Sequence, residues 1–457
     1  MKPFLFSAVS LLLPALCSAQ STPAEVAAEL VSRARTGSDA MALIGSLTTD
    51  VGPRQAGSEN EKRAAAWAQQ RFKELGADRV WVETFSLTNG WARGIERAEV
   101  LSPALQPLAV TALGGSTATP PEGLVAEIAL FTNYDGLLAA PAGSLAKKIA
   151  VVTQPMPRRR DGSGYHATGK IRSSGPAEAS RRGAIAYLCR SLATDNHRLP
   201  HTGQTDYRDA TRIPAAALSV PDALLLERLA AEGAPVRIKL VLTPHDLGPV
   251  TSQNVTAEFK GRERPEEIVV LGAHLDSWDL GTGALDDGVG VAIVMAAAKL
   301  VRELPHPPRR TIRVVLFGAE EPGLLGGAAY AQAHHSELSH YVLVAEPDEG
   351  QGPVYRLRTG VANTNEPSLK AIVAALAPLG ISLGDNHALG DSDVRYLARG
   401  GVPTVALDLD GTDYFDFHHT ADDTLDKISP ERIGQTTAAY AVLAYLAAEL
   451  GGDYRAP

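Results

Sequence analysis

The 457-residue sequence is poor in cysteine: Cys17 and Cys189 are its only two. So few thiols exclude a disulfide framework, and packing or bound metal must hold the chain together. Lys/Arg blocks, repeat periods and low-complexity tracts are lacking, and the formal net charge is -9. An acidic chain without a basic patch is poorly suited to nucleic acid. Arg158-Arg159-Arg160 is short, sits beside Asp161 and Gly162, and reads as a solvated loop. The apolar run Phe4 to Leu16 is too short and too early for a membrane span, so no stable membrane insertion is expected.

With Lys2 before that run and Cys17-Ser18-Ala19 after it, residues 1–19 have the form of a signal peptide cleaved after Ala19. The expectation is a secreted or periplasmic protein with Cys189 as its single remaining cysteine. At 45% apolar and 21% charged residues, the rest of the chain is globular and long enough for two or three domains.

Three textures follow one another. Residues 20–105 begin with short amphipathic helices, a turn at Gly52-Pro53-Arg54, and a helix from Glu59 to Leu75 that Ser58 would cap. Residues 106–250 are short β-like runs broken by Pro and Gly, which reads as an inserted strand-rich domain. Residues 251–457 alternate strands, at 254–260, 268–273, 311–318, 341–345 and 403–409, with helices near 288–304, 324–335, 366–378 and 430–449. Such alternation predicts an α/β fold: a doubly wound, mostly parallel sheet covered by helices on both faces.

The chemistry gathers where the apolar runs end. Ile268 to Ala273 leads into His274 and Asp276; Thr311 to Ala319 ends on Glu320-Glu321; Tyr341 to Ala345 ends near Glu346 and Asp348. Asp286 and Asp287 precede the apolar helix that starts at Gly288. In open α/β sheets ligands collect at the carboxyl ends of the strands, so these groups should meet in one crevice. Taken singly, such a His is more often a structural residue than a ligand, Asp286-Asp287 is a helix N-cap and Glu320-Glu321 an ordinary acidic first turn. Taken together, with no Lys or Arg nearby in sequence, they would repel, and divalent cations are the simple remedy. Carboxylates mixed with imidazole suit zinc, with manganese or cobalt open. The pair His418-His419 offers a further ring.

The segments AHLDSWD, GALDDGVG, FGAEEPGLLG, AEPDEG and FHHTADDT, in this order and spacing, resemble the family of co-catalytic zinc exopeptidases that includes bacterial aminopeptidases and glutamate carboxypeptidases. The likeness extends through GPRQAGSEN, GWARGIERAEV, GGSTATPPEGLVAEI and GGVPTVAL. It implies that the insertion is a protease-associated domain and that each subunit holds two Zn2+ ions. Asp286 would bridge them, His274 and Asp348 would complete one site, and Glu321 and His419 the other. Glu320 would be the catalytic base and acid, Asp276 would orient His274, and Asp287 would lie beside the bridge. Pro347 and Glu349 depart from the usual surroundings of Asp348, which leaves Glu346 as the alternative ligand. His387, Asp391 and Asp393 stand where relatives place pocket residues, and Tyr414 could reach the oxyanion. The implied substrate is a dipeptide or short peptide with a free N-terminus, and the implied assembly a homodimer. The alternatives are an aminopeptidase on longer peptides, a metal-free peptide-binding relative, and single-zinc glutaminyl cyclisation.

Overall fold

The computed structural model describes residues 21–390 and 392–455. The expected signal peptide, Cys17 and Asp391 lie outside the described residues.

The main sheet has eight strands, in the spatial order Arg79–Ala92, His245–Phe259, Arg310–Phe317, Arg264–His274, Tyr341–Ala345, Thr404–Leu409, Val354–Gly360 and Ser382–Leu383. Its centre is parallel: Arg264–His274 lies between Arg310–Phe317 and Tyr341–Ala345, and the latter pairs with Thr404–Leu409. Arg79–Ala92 and His245–Phe259 on one flank and Val354–Gly360 on the other join by antiparallel pairing, while the edge strand Ser382–Leu383 pairs with Val354–Gly360 in parallel, so the sheet is mixed with a parallel centre. The antiparallel strand Val354–Gly360 was not anticipated, because its Arg356 and Arg358 interrupt the apolar pattern.

Helices cover both faces, and the central strands divide their side chains between two cores. Val269, Leu271, Ala273, Ile312, Val314 and Leu316 join the core beneath Val289–Arg302 and Pro430–Glu449. Ile268, Val270, Val315 and Phe317 join a second core with Tyr330, Leu338 and Leu397. Burial on both sides is why these strands read as continuous apolar runs instead of alternating ones. The helix Val289–Arg302 is buried around nearly its whole circumference, since sheet and neighbouring helices enclose it. Ser58 does cap its helix, Glu59–Glu74, accepting from the Glu61 N–H at 3.1 Å. Among the described residues no helix is long and apolar enough to cross a membrane.

A second eight-stranded sheet takes all its strands from between Glu96 and Leu242. Relative to the expected limits of 106 and 250, Glu96–Ser102 belongs to this sheet and His245–Phe259 to the main one. The two units meet at Arg93, which pairs with Asp279 at 2.8 Å and with Glu96 at 2.6 Å, and at Trp91 and Trp278, which touch edge-on with centroids 6.3 Å apart and pack into the core of the second unit.

Candidate metal centre

Parallel central strands deliver their ends to one side of the sheet, and the expected residues converge there. His274 is the last residue of its strand; Glu320, Glu321, Glu346 and Asp348 follow the ends of the two neighbouring strands. Asp286 and Asp287 occupy the turn that opens Val289–Arg302, joined by a cis peptide bond. His419 arrives on the loop after Thr404–Leu409 with φ +62°. Leu324 and Ser392 also have positive φ and line the cleft with His419; Ala319, likewise at positive φ, directly precedes Glu320. Such backbone persists only where its surroundings hold it.

The two oxygens of Asp286 face opposite ways. Oδ1 lies 3.2 Å from His274 Nε2, which is in turn 3.3 Å from Asp348. Oδ2 lies 3.0 Å from His419 Nε2, which is also 3.0 Å from Glu321. His418 approaches Asp286 less closely, at 3.6 Å, and its ring stacks on that of His419 at 3.5 Å. Two groups therefore qualify geometrically as ion sites: Asp286 with His418 and His419, and His274 with Asp287 and Asp348. Asp287 is already engaged, accepting from the backbone N–H groups of His274 at 3.1 Å and Gly290 at 3.0 Å. Glu321 is in neither group but lies 3.0 Å from His419 Nε2.

Hydrogen bonding assigns the histidine tautomers. His274 Nδ1 faces the Asp276 carbonyl at 3.0 Å, and His419 Nδ1 faces the Thr202 carbonyl at 3.1 Å. A carbonyl only accepts, so both Nδ1 atoms carry hydrogen, and both Nε2 atoms face carboxylates. An imidazole nitrogen about 3 Å from a carboxylate oxygen needs either a proton or a metal ion between them. Asp286 Oδ2, moreover, is buried and accepts no hydrogen bond. This donor set fits a metal ion. Without one, Asp348, Asp276 and Asp286 outweigh burial and hold the His274 imidazole well above its usual range. Burial likewise pushes the Glu320 carboxyl well above the carboxylate range; His274 opposes the shift, and Asp348 and Glu321 add to it.

Asp276 does more than the expected orientation of His274. Its carbonyl, not its carboxylate, makes the closer contact to the ring; Oδ1 is 3.6 Å away. The carboxylate instead accepts the N–H groups of Glu320 at 2.9 Å and Glu321 at 3.2 Å, pinning that turn. Glu321 is further fixed by the Trp278 N–H at 3.2 Å. Glu346, the alternative to Asp348, accepts from Val394 N–H at 2.9 Å, whereas it is Asp348 that lies 3.3 Å from His274 Nε2.

The expectation that no cation balances these acids does not hold. Arg54, remote in sequence, is fully buried beneath them. Its guanidinium donates to the carbonyls of Leu275, Gly52, Thr282 and Gly283 at 2.6–3.1 Å, within the field of Asp423, Asp276, Asp287 and Asp286. Asp423, a second residue with no role foreseen, accepts from Leu285 N–H at 2.6 Å and Asp286 N–H at 3.3 Å. Both occur in segments already singled out, GPRQAGSEN and FHHTADDT, where their own roles depend on tertiary contacts. The second unit also reaches the site: Tyr165 packs edge-on against His418, and Arg172 approaches His419 Nδ1 to 3.3 Å.

The cleft over these groups has a volume of about 600 Å³. Tyr414 lines it beside His418, with ring centroids 5.0 Å apart. Asp393 is buried beneath, accepting from Gly327 N–H at 2.7 Å, and His387 is exposed; neither lines the cleft. A separate cavity of about 250 Å³ between the units shares Glu321 as a wall but none of the other metal-ligand candidates.

A mixed α/β fold with this buried constellation at the ends of its central strands defines a metallopeptidase. Residues 254–444 match the family described as Peptidase family M28. The chain is 36% identical over 409 residues to human Carboxypeptidase Q, spanning 88% of this chain and 84% of that protein. It is 25% identical over 447 residues to the aminopeptidase YwaD of Bacillus subtilis (strain 168), covering 94% of this chain and 89% of that one. Among solved structures, a Peptidase M28 precursor from Shewanella amazonensis SB2B superposes with a TM-score of 0.93 at 47% identity, covering 95% of this chain and 98% of that one. The chain belongs to peptidase family M28.

Proposed function

We propose that this protein is an exported zinc exopeptidase that hydrolyses dipeptides or short peptides with a free N-terminus. The observation that carries the reading is the Asp286 carboxylate, with one oxygen toward His274 and Asp348 and the other toward His419 and Glu321. These residues would hold two Zn2+ ions per subunit, Asp286 being shared. Bound zinc would activate water, polarise the scissile carbonyl and offset charge developing on its oxygen.

The remaining work falls to the protein's own groups. Glu320 takes the proton of the attacking water and returns it to the leaving amine; a raised carboxyl suits a group that must both accept and give. Ser392 holds Glu320 by donating to its Oε1 at 3.2 Å. Asp276 positions Glu320, Glu321 and His274 together. The Tyr414 hydroxyl, kept protonated by burial, is available to the carbonyl oxygen. Acidic lining such as Asp161 and Asp385 suits a free α-amine. The second unit would be a protease-associated domain and the assembly a homodimer, for which native mass spectrometry is the direct test.

The deciding experiment incubates zinc-loaded protein with an unblocked dipeptide and with a tetrapeptide beginning with the same two residues, and identifies products by mass spectrometry. Cleavage of the dipeptide alone is the expected result. Stepwise trimming of the tetrapeptide would make it an aminopeptidase on longer peptides, and no cleavage of either would refute the reading.

A further inference from the structure

We propose that Arg395 is the anchor for a substrate carboxylate, so that the cleft recognises peptides carrying a carboxylate just beyond the scissile bond. This rests on the exopeptidase reading and deepens it.

Four arginines line the cleft. Three are engaged: Arg172 donates to Thr202 O and Tyr165 Oη, and Arg356 and Arg358 both pair with Asp408. Arg395 alone has no hydrogen-bond or ion-pair partner among the described residues. It is half-buried, in a cleft rich in carboxylates, yet its guanidinium is held apart from all of them. An unpaired cation facing a cleft is completed by an incoming anion, and a planar fork matches a carboxylate in particular.

Its position ties it to the reacting groups. Arg395 opens the helix Arg395–Arg399, immediately after the turn whose Ser392 touches Glu320 and whose Val394 N–H binds Glu346. On the other side Gly390 packs so closely that a Cβ there would stand 2.7 Å from the Arg395 Cα. The backbone beneath the side chain is thus fixed on both sides relative to Glu320. A free α-amine would be taken by the acidic wall and a carboxylate by Arg395, which favours substrates with both ends close together.

A peptide carboxylate has two sources, the C-terminus or an acidic side chain of the residue after the scissile bond. The test compares kcat/KM of the zinc-loaded wild type on an unblocked dipeptide, on its C-terminal amide, and on a pair of dipeptide amides ending in Glu or Gln. We expect the free acid to be preferred over its amide roughly 10- to 100-fold, the range of one charge-assisted hydrogen bond. Preference for the Glu amide over the Gln amide would assign the side-chain carboxylate instead. In Arg395→Gln the ratio should fall toward one, and Arg395→Lys should restore part of it. Equal wild-type rates on every acid and amide pair, or a ratio that Arg395→Gln leaves intact, overturns the proposal while leaving the peptidase reading standing. Absence of hydrolysis of all four compounds would sink both.

Discussion

Thr202 and His419 hold each other twice: the Thr202 N–H donates to the His419 carbonyl at 3.0 Å, and His419 Nδ1 donates to the Thr202 carbonyl at 3.1 Å. Thr202 belongs to the second unit and His419 to the first, so the ring nearest Glu321 is oriented by a part of the chain more than two hundred residues away. The same carbonyl accepts from Arg172 at 3.2 Å.

Gly203 tests that clamp. Its φ is +140°, and a Cβ would stand 2.3 Å from the Arg172 guanidinium carbon. Gly203→Ala is expected to displace Arg172 and Thr202 and to weaken zinc binding roughly 10- to 100-fold, as loss of an outer partner of a ligand does. Chelator competition measures this, and unchanged affinity would show that the clamp does not position His419.

The adjacent histidines should separate cleanly. His419→Ala should cost one ion of the proposed pair, with a larger loss of affinity than Gly203→Ala. His418→Ala should retain both, because its ring makes only the longer 3.6 Å approach to Asp286. Metal content by mass spectrometry decides, and the opposite ranking would make His418 the ligand.

Glu320→Gln keeps the shape of the side chain and its contact with Ser392 but cannot carry a proton. It should retain zinc and lose about 10²–10⁴-fold in kcat. Near-normal turnover at full metal content would remove Glu320 from the reaction.

Arg54→Met takes a buried cation from beneath four aspartates. The expected destabilisation is about 3–5 kcal/mol, that of a buried charge cluster losing one partner. Zinc should recover part of it by supplying positive charge nearby. Denaturant midpoints with and without zinc provide the measurement; an unaffected midpoint would mean that the four backbone carbonyls, not the acids, define the role of Arg54.

His334 offers a stability effect away from the site. Partial burial opposes its charged form, but hydrogen bonds to Glu83 at 2.9 Å and Glu337 at 3.1 Å prevail and raise its pKa above the ordinary 6.5. A raised folded-state value stabilises most below the unfolded pKa and is lost as pH rises through the folded one. Relative to wild type, His334→Gln should therefore be less stable by about 1 kcal/mol or less near pH 6, with the gap closing toward pH 9. A gap that widens with pH would contradict this sign.

Much of this arrangement was legible because it is local. His274, Glu320-Glu321 and Asp348 follow strand ends that announce themselves as apolar runs, and the Asp286-Asp287 turn opens an equally apolar helix. What stayed hidden depends on segments that meet only in the folded chain. Arg54 looked like a turn residue because its four acceptors come from residues 52, 275, 282 and 283. Thr202 acts through its backbone, which no residue type advertises. His387, in a polar Gly-rich stretch, looked like a pocket residue, yet the segment turns its ring to solvent while Ser392 and Arg395 face the cleft.

The second sheet leaves and rejoins the first between Ala92 and His245, which are paired partners at the end of one antiparallel ladder. Directly opposed residues in such a ladder are about 5 Å apart, a gap that a two-residue hairpin turn spans. The excursion is therefore separable by topology: cutting it out would leave the main sheet with ends already adjacent. It is not separable by chemistry, since Thr202, Tyr165 and Arg172 would go with it. A shortened chain of this kind should keep its fold while His419 loses its backing, so architecture and metal binding would part company along a single pair of residues.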